Sequence, residues 1–209
     1  MAGKTLTFPR PTLVGWMVAD ALLVAVLAFL VWVVHGWSLN NDGLIGVIPG
    51  VVVGFAGGFV LAFAVHEWGH WVGARIFGAR LPFNDYRHAI KGYRTSYRLI
   101  PNIDIASLSA RQFLGTSWVS ILGYAVVSAA ALVAHFSGDL DITGAALAVG
   151  ALAFSANSFV LDLPPTLQVS RGAEVVPAMK RNMTRKKIRR RSALAYLTLA
   201  LALVGWNLL

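Results

Sequence analysis

The sequence has no cysteine and little charge. Without cysteine there are no disulfides and no thiolate metal sites, so any metal must be held by His, Asp or Glu. Only 13% of the residues are charged and 57% are hydrophobic, too few charges to cover a soluble globule. Acidic residues are scarcest: nine Asp and Glu stand against 18 Lys and Arg, and the only glutamates are Glu67 and Glu174. No internal repeat and no low-complexity linker divides the chain. What remains is a series of long apolar runs, the signature of an all-α polytopic membrane protein forming a single integral membrane domain over residues 1–209.

Five segments are expected to span: Leu13 to Val34, Leu44 to Phe77, Phe113 to Phe136, Ile142 to Leu161 and Ala193 to Leu209. A span needs about 17–25 apolar residues, so the second is longer than necessary and its end should project from the bilayer. The first run is too long for a signal-peptide core and lacks a cleavage site. Within the second run, Gly50, Gly54 and Gly58 recur every fourth residue and leave one face nearly free of side chains, which lets another helix pack closely. Pro49 is expected to kink its outer end.

The basic residues fix an orientation. Lys4 and Arg10 precede the first span. Arg75, Arg80, Arg87, Lys91, Arg94, Arg98 and Arg111 lie between the second and third. The other nine run from Arg171 to Arg191, and together these are all 18. The two remaining loops carry Asp42, Asp139 and Asp141 and no basic residue. By the positive-inside rule the N-terminus is cytoplasmic and, with five spans, the C-terminus is outside. The net charge of +9 is mostly this topology signal. The run Arg185 to Arg191 is expected to touch anionic lipid, and no aromatic platform accompanies it, so nucleic acid is not an expected partner. In the loop between the second and third spans, the stretch from Ala89 to Ile100 suggests a small β-hairpin with Lys91-Gly92 at the turn.

Inside the second run lies AVHEWGHW, with His66, Glu67 and His70 spaced His-Glu-x-x-His. Residues four apart share a helix face about 6 Å apart, so two imidazoles can hold one Zn²⁺ at roughly 2.0–2.1 Å. Glu67 sits about 100° round the helix from His66, beside the metal rather than on it, where it can take a proton from water acidified by zinc. Ionisable groups inside spans are expensive, which argues for function rather than packing.

A catalytic zinc takes three protein ligands and keeps one open position. Candidates for the third are Asp20, His88, Asp104, His135, Asp162 and Glu174. Depth separates some of them. His66 lies 22 residues into its run, about 33 Å from the outer face, and Asp162 lies 20 residues beyond Ile142, about 30 Å from the same face. Both meet near the cytoplasmic surface. His135, at the outer end of its span, and Asp20, well up the first, fail this test. His88, Asp104 and Glu174 sit in loops that depth does not constrain. Asn157, five residues before Asp162, is a candidate donor to substrate or to a ligand. The catalytic core therefore covers about residues 44–175.

The stretch AVHEWGHWVGARIFGA on a membrane helix resembles the site-2 protease class of intramembrane zinc metalloproteases, and is most similar to a small prokaryotic branch of membrane zincin peptidases. In the main class the third ligand is an Asp in an Asn-Pro-Asp-Gly type motif on a later helix. Asn157 and Asp162 match that Asn and Asp in kind and order, while the Asp-Gly pair is missing and Leu163 follows the Asp. Arg171-Gly172-Ala173 resembles the pattern that follows the Asp in the small branch. The resemblance covers roughly Val60 to Val175. It implies a core of the second, third and fourth spans, one zinc per chain, transmembrane protein substrates, and a loop after the motif that offers an edge strand to unwound substrate. No PDZ domain has room in this chain.

Three functions compete. The first is an intramembrane zinc endopeptidase with ligands His66, His70 and Asp162 and the base Glu67. The second is a catalytically silent relative that binds other membrane proteins. The third, a transporter using the His pair for passage, lacks the repeated halves such proteins show. The small size and the His/Asp/Glu site fit a prokaryotic plasma membrane.

Overall fold

The computed structural model describes residues 13–79, 108–138 and 140–207. Every described element is helical: α1 (Leu13–Leu39), α2 (Leu44–Ile76), α3 (Ala110–Phe136), α4 (Ile142–Ser170), α5 (Val175–Asn182) and α6 (Arg185–Asn207). Four of them carry stretches long and apolar enough to cross a membrane: Asp20–Leu39 in α1, and α2, α3 and α4 over their full lengths. The expected hairpin around Lys91-Gly92 lies outside the described residues, as do His88 and Asp104.

Helices α2, α3 and α4 pack mutually and form the centre, with α1 against α2 and with α5 and α6 against α4. The glycine face of α2 is where α4 docks. A Cβ on Gly50 would meet the Thr143 hydroxyl at 2.7 Å, and one on Gly54 or Gly58 would strike the α4 backbone at Thr143 and Leu147. Such close backbone contact is what small residues permit where no hydrophobic effect drives helices together. Large apolar side chains such as Leu22, Phe29, Trp32, Leu122, Val126 and Val133 point outward instead, as a lipid-facing surface requires.

The breaks in this pattern are compensated locally. Pro49 cannot donate to the Ile45 carbonyl four residues back; the Trp37 indole of α1 donates to it instead, at 3.3 Å. Ser109 and Gln112 form a reciprocal capping box at the start of α3. Asp141 caps α4, accepting from the Gly144 N–H at 2.9 Å, and its other oxygen lies 2.8 Å from His35 Nδ1 on α1. Helices α2 and α4 close alike. Gly78 (φ 72°) and Gly172 (φ 91°) adopt the left-handed conformation, and the next residues, Ala79 and Ala173, donate back to Ala74 and Gln168. This closure satisfies end carbonyls and favours glycine at the turning position.

Two boundaries differ from expectation. The expected fourth span ends at Leu161, but α4 runs on through Pro164-Pro165 to Ser170. The prolines leave the Val160 and Leu161 carbonyls without their helical donors, but Thr166 reaches back to the Asp162 carbonyl at 2.7 Å and the helix resumes. The basic stretch after Gly172 also contains α5, whose Val175 and Ala178 pack with Ala74, Phe113 and Val169 beneath the ends of α2 and α4.

Candidate metal centre

His66 and His70 stand one turn apart on α2, with ring centroids 4.5 Å apart and planes at 78°. Asp162 of α4 faces them. One ligand atom from each of His66, His70 and Asp162 lies within 4.8 Å of the others, an arrangement that can hold a metal ion. Asp162 Oδ2 is 3.6 Å from His66 Nδ1. Tetrahedral bonds of about 2.0–2.1 Å put ligand atoms about 3.3–3.4 Å apart, so ligand atoms spread over 4.8 Å close on an ion when the side chains draw in by up to about 1.4 Å. The Asp162 oxygen is buried with no hydrogen-bond partner among the described residues. A buried carboxylate oxygen is costly to leave bare, and a cation is the partner its two imidazole neighbours suit. The donor set fits a metal.

Hydrogen bonds from α3 select the imidazole tautomers. His70 Nδ1 lies 3.3 Å from the Thr116 carbonyl, which can only accept, so that nitrogen carries the proton. Ser120 is fully buried, and its hydroxyl oxygen lies 2.8 Å from the His66 carbonyl and 2.9 Å from His66 Nδ1. A hydroxyl has one proton. It goes to the carbonyl, so His66 Nδ1–H donates to the Ser120 oxygen. Both rings are thereby left with a bare Nε2, as a metal-binding histidine requires.

Glu67 stands beside this set and outside it, its Oε1 3.7 Å from His66 Nε2. On the side toward the starts of α2 and α4, Phe154 packs edge-on against Phe59 and Phe63, and its ring lies 5.4 Å from that of His66. The opposite side ends at the bare carbonyls before Pro164.

The remaining candidates fall elsewhere. Glu174 is exposed at the start of α5, and His135 packs on Phe136 in the last turn of α3. The Asn157 carboxamide oxygen is buried without a hydrogen-bond partner among the described residues. Asp20 is corrected in depth: it is buried and accepts from the Trp68 indole, inside the motif itself, at 2.6 Å. A separate apolar crevice of about 300 Å³, lined by Val31, His35, Gly57 and Leu147 among others, lies between α1, α2 and α4 away from this centre.

The residues missed from sequence are Thr116, Ser120 and Tyr124. They recur every fourth position on α3 and are all buried, a polar row along one face of an apolar helix. That row was the available signal. Compared with family models, with curated proteins and with solved structures, the chain gives no match.

Proposed function

We propose that this chain is an intramembrane zinc metallopeptidase that hydrolyses peptide bonds in or near transmembrane segments of membrane proteins, near the cytoplasmic face. One observation carries the reading. Two imidazoles with bare Nε2 atoms and a buried carboxylate whose Oδ2 has no hydrogen-bond partner among the described residues converge between packed apolar helices, and a glutamate stands beside them without joining them. A hydrolase needs such a separate glutamate as its base.

His66, His70 and Asp162 would hold the zinc. When bound, the ion supplies Lewis-acid polarisation and makes water more acidic at neutral pH. Glu67 takes the proton from the attacking water and delivers it to the amide nitrogen as the C–N bond breaks. Ser120 and the Thr116 carbonyl hold the two rings in the tautomer that leaves Nε2 free. Asn157, with its buried bare oxygen, accepts from a substrate backbone N–H. The Phe59–Phe63–Phe154 wall keeps water from arriving through the bilayer.

The orientation belongs to the same proposal. The N-terminus is cytoplasmic, the apolar part of α6 forms a fifth span, and the C-terminus is outside, in a prokaryotic plasma membrane. The exposed residues between Arg185 and Arg190 lie at the anionic lipid surface.

The test compares membrane proteomes of cells expressing the wild type or Glu67→Gln. Fragments ending within or next to transmembrane segments are expected with the wild type and absent with the variant. Identical fragment sets from both, with equal expression, refute the peptidase reading.

A further inference from the structure

Tyr124 is 2% exposed, yet its hydroxyl has no hydrogen-bond partner among the described residues. A buried phenol without an acceptor is costly, on the order of 1–3 kcal/mol, and tyrosine hydroxyls normally find a partner when buried. Phenylalanine would fill the same space without that cost. The ring lies against the metal set, its centroid 5.6 Å from that of His66. It follows Ser120 by one turn of α3, and helix side chains lean toward the N-terminus of their helix. On α3 that direction is toward Ser120, hence toward the level of His66.

A complementary atom lies in the same place. Asp162 Oδ2, 3.6 Å from the His66 ring, is a buried acceptor without a donor among the described residues. A donor without an acceptor and an acceptor without a donor thus flank one imidazole. We infer that Tyr124 is a positioning residue for Asp162: with one carboxylate oxygen on the cation, the other accepts a hydrogen bond from the Tyr124 hydroxyl. The cation then satisfies Oδ2, the other oxygen gives the buried phenol its acceptor, and the carboxylate's rotation is fixed, as hydrogen bonds to metal ligands generally do. The inference rests on the metal-site reading above.

The test measures Zn²⁺ affinity of the purified full-length chain in detergent by chelator competition. Four chains are compared: wild type, Tyr124→Phe, Asp162→Ala and the double variant. Tyr124→Phe keeps the ring and removes only the donor. It is expected to weaken zinc binding by about 10–100-fold in the wild-type background. In the Asp162→Ala background, where the two imidazoles still bind weakly, it should change affinity by less than about twofold, because its target is gone. Unchanged affinity of Tyr124→Phe, beside a wild type that binds zinc, overturns the inference and leaves the metal site standing. Equal losses in both backgrounds also overturn it, since they mean that the phenol supports packing alone. A wild type that binds no zinc removes the metal site and the inference with it.

Discussion

A methyl group at Gly69 tests how the site is built. Gly69 lies between the two histidines' turns and faces α3 at Ser120. A Cβ there would lie 2.7 Å from Ser120 Cα and 3.2 Å from its nitrogen. Carbon atoms pack at about 3.5 Å or more, so Gly69→Ala must part the two helices locally by roughly 0.8 Å. The Ser120 bonds to His66, at 2.8 and 2.9 Å, cross the same interface. Stretched by that amount they reach roughly 3.6–3.7 Å, beyond hydrogen-bonding range. Overpacking costs about 1–3 kcal/mol, while replacing a mid-helix glycine returns about 0.5–1 kcal/mol. The net change in stability is small, so melting temperature alone is a blunt readout. Zinc affinity is sharper. Losing the His66 support should weaken binding about 10–100-fold. Ser120→Ala should do the same without any clash, and the double variant should be no worse than the weaker single one. A Gly69→Ala chain that folds and binds zinc as tightly as the wild type refutes the claim that α3 holds the ligand rings.

Asp141→Ala removes the cap of α4 and the contact with His35, and should lower stability by about 0.5–2 kcal/mol in a thermal melt while zinc affinity stays unchanged. Burial alone raises the Asp141 carboxyl, but the Gly144 N–H and His35 outweigh it and hold it below the usual carboxylate range. Its folded pKa being depressed, this stabilisation is present above the ordinary carboxylate pKa and is lost as pH falls through the lowered one; the Asp141→Ala chain should lack that step in an acid titration of stability. Trp68→Phe leaves the buried Asp20 carboxylate without its indole donor. It should cost about 1–3 kcal/mol, measured by denaturation, and be partly relieved by Asp20→Asn; no loss would mean that the contact does not hold α1 to the motif.

The legible parts of this molecule were those fixed by helix geometry alone. His66, Glu67 and His70 are related by one turn, and no tertiary knowledge is needed to place them on adjoining faces. Asp162 was legible because two helices running the same way can be counted from a common face. The α4-facing glycines of α2 were visible as a period of four. Asp20 was misplaced because the first span was counted from Leu13. Its place follows from how α1 packs on α2, which sets Asp20 opposite Trp68, and a count along one run does not show that. Ser120 and Tyr124 were not found because a polar residue in an apolar helix has meaning only once the register of its neighbour is known. The fourth span read only to Leu161 because its apolar run ends at Asp162, whereas the helix passes through Pro164-Pro165 to Ser170.

The most direct test of the central claim is zinc per chain in full-length protein purified in detergent without chelators. His66→Ala, His70→Ala and Asp162→Ala are measured beside the wild type. About one zinc is expected in the wild type, with most of it lost in each variant. A wild type without zinc, or three variants that all keep it, would contradict the account.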